Sequence, residues 1–262
     1  MRLIDSHAHL NFRGFRKNRE EVIAQCIESD IRVVNPSSQL TTSEAAVELA
    51  KKYPDWMYAA VGFHPVHIGE QEYRLGDFDR LIANNPLLVR AIGEIGLDYY
   101  RLPENASKAR EIVADQKIAF RELLGLCLQY DKAAIIHCRE AYDDLADETA
   151  DHFEKGRGVI HCYLGNRAQA RRFLDQGFLL GFTGIITFTD DEELIQVIRE
   201  TPLDRVLVET DSPYLAPEPV RRTKNTPLNL HYVVAKIAEV KQLPVEEVAR
   251  ATVENAEKLF SL

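Results

Sequence analysis

The feature that most constrains the fold is a regular alternation of two kinds of segment. Short apolar runs rich in β-branched residues alternate with longer segments in which apolar residues recur at spacings of three and four. This alternation is typical of repeated βα units, which build parallel sheets. The predicted strands are eight in number and cover residues 2–7, 31–36, 57–63, 88–94, 132–138, 158–163, 178–184 and 205–211.

Eight βα units in 262 residues match the size of a TIM barrel. We therefore predict an α/β fold, a (β/α)8 TIM barrel that forms a single domain over residues 1–262, with its active site at the C-terminal mouth. Two further helices are predicted at 229–241 and 244–260, and no linker or repeat interrupts the chain. The alternative is a doubly wound parallel sheet.

Composition limits the classes of function. A formal net charge of −9 argues against a protein that coats nucleic acid with a broad cationic surface, although it leaves room for a local anion site.

The four cysteines form no CxxC pair and are predicted to be free thiols in a reducing compartment. No apolar run approaches the roughly 18 residues of a membrane span, and the N-terminus lacks a signal-peptide pattern. We expect a cytoplasmic protein without membrane contact.

Histidines and carboxylates gather at the C-terminal ends of the predicted strands. In a barrel these ends meet at one mouth, so side chains from distant parts of the sequence converge there. Five of the eight histidines belong to this set, where scattered structural histidines would have no reason to gather. The set comprises His7, His9, His64, Glu94, His137, His161 and Asp211.

Mixed nitrogen and oxygen donors of this number suit two divalent ions that share a carboxylate. Glu94 is the predicted shared ligand, since its strand lies between the donors of strand 1 and those of strands 5 and 6. These donors fit zinc, manganese or iron, and magnesium is possible if waters complete its shell, so the identity of the ion stays open. Two ions would support hydrolysis, with Glu94 and Asp211 as the catalytic carboxylates and Asp211 accepting a proton from the attacking water. Asp5 and Glu209 are predicted to orient a ligand or a water, although Asp5 is equally well read as a buried structural residue.

Seven motifs resemble those of the TatD-type metal-dependent deoxyribonucleases, and together they cover nearly the whole chain. The most specific are GEIGLDYY at 93–100 and VETDSPYLAP at 208–217. The others are DSHAHL at 5–10, GFHP at 62–65, IHCRE at 136–140, HCYLGN at 161–166 and GFTGIITF at 181–188.

The resemblance implies a cytoplasmic TIM-barrel hydrolase that cuts DNA phosphodiester bonds, often from a 3′ end, with two divalent cations. It implies a DNA partner that is single-stranded or presents 3′ ends. The implied ligands of the first ion are His7, His9, Glu94 and Asp211, and those of the second are Glu94, His137 and His161. It also implies substrate contacts for His64, Arg221, Lys224 and Asn225.

The sequence departs from the family pattern at three places. Leu164 stands where a small polar residue is common, and the second histidine after GFHP is displaced to His67. The loop at 11–19 is basic here instead of acidic. It is predicted either to bind the phosphates and bases of single-stranded DNA or to be the solvent-exposed start of a helix, with its phenylalanines packed on the barrel. Arg139, which follows His137 closely, is a further predicted phosphate contact.

Two other functions remain open on the sequence. An amidase or lactonase acting on a small molecule would use the same barrel and metals, although many such enzymes bridge the ions with a strand-4 lysine that this chain lacks. A scaffold that binds nucleic acid or protein without turnover would have no need of so many convergent donors.

Overall fold

Eight parallel strands form one sheet in sequential order, and this computed structural model describes all 262 residues. The first and last strands meet through the amide of Ser6, which donates to the carbonyl of Val208 at 3.2 Å, and through a bridge between Ala8 and Ser212. The sheet is thereby closed into a (β/α)8 barrel, which confirms the predicted fold. The strands are β1 Leu3–Asp5, β2 Ile31–Asn35, β3 Met57–Val61, β4 Val89–Asp98, β5 Ala133–Arg139, β6 Gly158–Ile160, β7 Leu179–Phe182 and β8 Val206–Val208.

Helices surround the strands and follow each of them in turn. Their apolar faces pack on the outward side chains of the barrel, as the spacing of three and four predicts. None of these helices is long and apolar enough to cross a membrane. They are α1 Arg19–Glu28, α2 Leu40–Lys52, α3 Leu75–Asn84, α4 Ala106–Gln129, α5 Tyr142–His152, α6 Arg167–Asp175, α7 Glu192–Glu200, α8 Leu230–Lys241 and α9 Val245–Phe260.

The barrel interior is filled by alternate strand residues such as Ile4, Ile135 and Leu207, because successive side chains of a strand point to opposite faces. The last helix, α9, packs its own buried residues onto this cluster. It also donates from the Asn255 amide to the carbonyl of Val206 at the start of β8. α9 therefore closes the N-terminal end of the barrel, and the C-terminal end is left as the mouth.

The strand ends differ from the predicted ones in a consistent way. β1, β6 and β8 stop two or three residues earlier than predicted, so His7, His161 and Asp211 lie just beyond regular strand. β4 instead runs four residues past Glu94, to Asp98. The difference arises because apolar runs mark buried residues, whereas a strand ends where ladder hydrogen bonds end.

Candidate metal centre

Four donor atoms at the mouth form a first donor group: the Nε2 atoms of His7 and His9, Oε2 of Glu94 and Oδ1 of Asp211. The two Nε2 atoms lie 3.2 Å apart. Oδ1 of Asp211 lies 3.2 Å from His9 Nε2 and 3.7 Å from His7 Nε2. Oε2 of Glu94 lies 3.4 Å from His7 Nε2 and 3.9 Å from His9 Nε2. All four atoms therefore face one common point.

The other oxygen of Glu94 faces a second donor group, which contains His64, His137 and His161. Oε1 lies 3.0 Å from His137 Nδ1 and 3.3 Å from His64 Nε2. His161 Nε2 is more distant, at 3.9 Å. Each oxygen of the single Glu94 carboxylate thus addresses a different set of imidazoles, which is the arrangement predicted for a shared ligand.

The ends of β1 and β8 hold the first donor group together. The amide of Asp211 donates to the carbonyl of His7, and the amide of His9 donates to the carbonyl of Ser212, both at 2.8 Å. Asp211 itself has a positive φ of 54°, which turns its carboxylate toward the two imidazoles. The regular strands β1 and β8 end before these residues, so the two backbone hydrogen bonds, and not strand alternation, fix the positions of the donors.

Glu94 reaches the centre of the mouth because β4 is irregular at this residue. Gly93 pairs with Ile135 and Ile95 pairs with Ile136, so Glu94 is an extra residue opposite β5. A β-bulge of this kind re-aims a side chain, and bulges are common beside active sites. Without it, alternation would send the Glu94 side chain toward the outer helices.

The outer nitrogens of three imidazoles are held by acceptors. His9 Nδ1 lies 3.2 Å from the carbonyl oxygen of Pro36, and His161 Nδ1 lies 2.8 Å from Oε1 of Glu209. His137 Nε2 lies 3.0 Å from Oδ2 of Asp98. Such contacts fix the ring and the tautomer and leave the other nitrogen free as a donor.

The two groups fit divalent cations. Four donors about 2.1 Å from a tetrahedral ion lie about 3.4 Å from one another, which is near the spacing in the first group. Glu94 is 5% exposed, so its charge lies buried against imidazoles with no lysine or arginine as a partner. Imidazole nitrogen and carboxylate oxygen together are the donors that zinc and manganese prefer.

The family described as TatD related DNase matches residues 4–261 of this chain. The chain belongs to the TatD-related DNase family. The uncharacterized metal-dependent hydrolase YabD of Bacillus subtilis is 36% identical over 268 residues, covering 99% of both chains. The uncharacterized metal-dependent hydrolase YcfH of Escherichia coli K12 is 34% identical and covers 100% of this chain and 97% of its own length.

A solved structure agrees with this assignment. YjjV, a TatD homolog from Escherichia coli K12, superposes with a TM-score of 0.89 at 28% identity, covering 99% of this chain and 98% of its own. These findings confirm the resemblance inferred from the motifs. The chain is a metal-dependent hydrolase of the TatD family.

Glu209 takes the supporting position that its spacing predicted for it in this TatD-family barrel. It is fully buried and lies 2.8 Å from His161 Nδ1, and it accepts hydrogen bonds from the Ser6 hydroxyl at 3.2 Å and the Cys162 amide at 2.5 Å. Gly181 on β7 makes room for it, since a Cβ there would come within 2.6 to 2.7 Å of the Glu209 carboxylate. Glu209 is thus held on several sides while it orients His161.

Of the two readings left open for Asp5, its contacts favour the buried structural residue over a partner of a ligand ring or water. Its carboxylate accepts the hydroxyl of Thr210 at 2.5 Å and the amide of Thr210 at 3.0 Å. It also accepts the amide, and not the ring, of His7. Burial raises the pKa of Asp5 to about 7, against these hydrogen bonds. The residue joins β1 to the segment after β8, because β1 ends at Asp5, two residues before the end of the predicted strand 2–7.

Sequence reasoning missed Asp98, which is 3% exposed beneath His137. Its Oδ1 accepts the amide of Tyr100 at 3.0 Å. The Gln116 carboxamide, on α4, pairs with the backbone of Asp98 on both sides, at 2.9 and 3.1 Å. The available signal was its place four residues after Glu94 within GEIGLDYY, which the predicted end of β4 at Glu94 obscured.

The pKa values at the mouth follow from burial and from the crowding of acids with imidazoles. Burial opposes the ionised form of Glu94, but His64, His7 and His137 outweigh it and hold the pKa well below its usual range. Burial likewise opposes the ionised form of Asp211, and the hydrogen bond from His9 lowers the pKa overall. Both carboxylates are therefore ionised at neutral pH, which is the form that binds cations.

Burial and neighbouring charges also give two stacked imidazoles very different pKa values. His7 and His161 lie with ring centroids 3.4 Å apart. Burial and the neighbouring His161 lower the pKa of His7 to about 4. Burial also opposes protonation of His161, but Glu209 outweighs it and raises the pKa to about 9. His7 is thus neutral and ready to act as a nitrogen donor.

A cavity of about 530 Å³ opens above the donors, and two residues predicted to contact the substrate line it. His64 lies beside Glu94, within the second donor group. Arg139 is exposed, and its guanidinium carbon lies 3.5 Å from the centroid of the Tyr100 ring. Both side chains are placed where a substrate would enter.

The other three predicted substrate residues lie outside the lining of this cavity. Arg221 is exposed and stacks on Phe188 at 3.5 Å. Lys224 donates to the carbonyl of Gly14 at 2.5 Å. Asn225 is fully buried and donates its amide to the carbonyl of Thr210 at 2.9 Å, so this geometry favours a structural role over the predicted substrate contact.

The basic loop after β1 divides into structural and exposed residues. Phe15 is fully buried, and Arg19 donates to three backbone carbonyl groups, the first being that of Leu10 at 2.5 Å. Phe12 stacks on His9 at 4.2 Å and lines the cavity. The side chains that stay exposed are Arg13, Arg16 and Lys17.

Proposed function

We propose that this TatD-family hydrolase cuts phosphodiester bonds in DNA, from a 3′ end and with single-stranded DNA as the preferred partner, using two divalent ions. The observation that carries the proposal is that the two carboxylate oxygens of Glu94 face different donor groups. Its Oε2 completes the group of His7, His9 and Asp211, and its Oε1 completes the group of His137, His161 and His64. One acid that serves two donor groups is the geometry suited to a pair of ions.

The two donor groups would hold two divalent ions, whether magnesium, manganese or zinc, and such ions would lower the pKa of a water and polarise phosphoryl oxygens. The side chains of the protein hold the donor atoms in position. Glu94 fixes the two donor groups relative to each other, and Glu209 and Asp98 hold the outer nitrogens of His161 and His137. In this proposal Asp211, ionised and only partly exposed at the first group, accepts the proton of the attacking water.

The charges around the mouth favour a polyanionic substrate. Many exposed cations of the outer helices are paired with acids, as Arg171 is with Asp175 and Arg121 with Glu148, although Lys108, Arg110, Arg199 and Lys258 are not. None of the exposed cations near the mouth lies within 4.0 Å of a carboxylate. Unpaired cations on a chain of net charge −9 form a local anion site without a broad basic surface. These cations are Arg13, Arg16, Lys17, Arg101, Arg139, Arg221 and Arg222.

The test incubates chelated protein with single-stranded and duplex DNA labelled at either end, and with a phenyl ester. Magnesium, manganese and zinc are then returned in turn. We expect DNA to shorten in steps from its 3′ end only when metal is present. Turnover of the ester with intact DNA would instead support a small-molecule esterase or lactonase.

A matched pair of variants links this activity to the shared ligand. Glu94→Ala should abolish DNA cleavage and reduce the bound metal, since both donor groups lose an oxygen. Glu154→Ala, at an exposed residue after α5 that takes part in no ion pair, should retain both. Normal cleavage by Glu94→Ala would rule out the proposed role of the shared carboxylate.

A further inference from the structure

The lining of the mouth is chemically two-sided around the donor groups. One side is apolar and is formed by the segments that follow β6, β7, β8 and β1, which are consecutive around the closed barrel. We call this side the apolar wall; it consists of Phe12, Leu164, Ile185, Tyr214 and Leu215.

The opposite side, the cationic wall, consists of Arg101 and Arg139, which follow β4 and end β5. They are the only lysine or arginine residues that line the cavity. Arg139 is fixed over the ring of Tyr100 and has no carboxylate within 4.0 Å, so its guanidinium edge is free to donate. Val66 and Cys138 also line this half, but they carry no charge.

Two residues of the apolar wall are unusually exposed for their type. Leu164 is 47% exposed and Tyr214 is 55% exposed. The backbone of Leu164 is held in place, because its amide donates a hydrogen bond to the Tyr142 hydroxyl at 2.9 Å. Tyr214 lies edge-on to His9, with ring centroids 6.2 Å apart. Exposed apolar groups beside a polar centre mark a place where a ligand with its own apolar face binds.

We propose that the apolar wall is a nucleobase subsite and that Arg139 binds the phosphate next to the one being cut. This inference rests on the proposed function and deepens it. A nucleotide chain carries a flat base on one side of a phosphodiester and a second anionic phosphate along the backbone. The two walls on either side of the donor groups match those two features, because bases stack on apolar and aromatic side chains and arginine binds phosphate through two N–H groups.

The base subsite is tested with oligonucleotides that contain one abasic residue on either flank of the bond being cut. The normal oligonucleotide should be cut about 10-fold more efficiently than one of the two abasic substrates, as expected from the loss of one stacked base. Leu164→Ser should lower kcat/KM for the normal substrate and leave the rate on that abasic substrate unchanged. Leu128→Ser, at a leucine on α4 that is 45% exposed, is the matched control and should change neither.

The phosphate contact is tested with an uncharged methylphosphonate in place of the phosphate next to the bond being cut. Arg139→Gln should lower kcat/KM for the normal substrate about 10-fold and should not lower it further for the methylphosphonate. Arg171→Gln, on the outer face of α6, should act like the unmodified protein on both.

The outcomes separate this inference from the proposed function. If the unmodified protein cuts none of the oligonucleotides in the presence of metal, the proposed function fails. If it cuts them, but Leu164→Ser affects normal and abasic substrates equally, the base subsite is wrong. If Arg139→Gln affects phosphate and methylphosphonate substrates equally, the phosphate contact is wrong.

Discussion

At the scale of single residues, three imidazoles at the mouth are defined by an outer contact. His161 Nδ1 lies close to the buried carboxylate of Glu209, His9 faces a backbone carbonyl, and His137 faces the acid of Asp98. These contacts decide which nitrogen points to the centre. The sequence supplies the histidines, but the neighbours that orient them lie 27 to 48 residues away along the chain.

Replacing Asp98 by Asn should weaken metal binding at the second donor group. The amide would no longer provide the charged acceptor for His137 Nε2, and loss of such an outer partner weakens metal binding by about 10- to 100-fold. Titration of the metal-free protein should show one weakened site and one unchanged. Asp79→Asn, on α3, is the control, and equal affinities in the two variants would contradict the orienting role of Asp98.

Replacing Arg221 by Ala should weaken DNA binding and reduce its dependence on salt. One lost phosphate contact lowers the slope of log K against log salt by about one. The measurement is DNA affinity at several salt concentrations, with Arg171→Ala as the reference. An unchanged slope would show that Arg221 only packs on Phe188.

At the scale of elements, the donor side chains reach the mouth in two ways, by regular strand alternation or through a β-bulge. His137 lies in β5 on the same face as the interior residue Ile135, and His161, one residue past β6, continues the alternation from Val159, so the sequence pattern accounts for both positions. Glu94 depends instead on the bulge in β4. A bulge leaves no mark in the pattern of apolar residues, so the position of Glu94 could be predicted only through the motif around it.

An ion pair between α4 and α5 should give the fold a measurable pH dependence. Arg121 donates to both oxygens of Glu148, at 2.6 and 2.7 Å, and lowers the pKa of Glu148 against the opposing effect of burial. A lowered pKa in the folded state stabilises the protein above the ordinary value of 4.5, and this stabilisation is lost as pH falls through the folded value.

Glu148→Gln should therefore lower the free energy of unfolding at pH 7 by about 1 kcal/mol or less, because the Arg121 side chain is 45% exposed and solvent screens the pair. The difference from the unmodified protein should shrink as pH is lowered below 4.5 in urea titrations. Glu154→Gln should show no such trend. A constant difference at all pH values would mean that packing, and not the charge, accounts for the loss.

At the scale of the whole molecule, the donors come from six strands spread around the barrel. The candidate metal centre therefore links β1, β3, β4, β5, β6 and β8 at the mouth, while α9 closes the opposite end. Ions that bind only the folded chain stabilise it by mass action.

Adding metal to chelated protein should raise Tm. At a metal concentration about 100-fold above Kd, one site contributes about 2.7 kcal/mol, which corresponds to a rise of about 5 to 10 °C for a chain of this size. Thermal unfolding with and without metal measures the shift. Glu94→Ala should lose most of it, and a full shift in that variant would place the binding elsewhere.

The sequence by itself determined the eight βα units, the barrel and the residues that converge at its mouth, because periodicity and the order of the elements are local properties. Only the tertiary structure decided that Asp5 faces Thr210, that Asp98 supports His137 and that Asn225 is buried. It also divided the mouth into an apolar and a cationic wall. The physical reason is that such contacts depend on where a strand stops or bulges and on which distant loop then lies beside it.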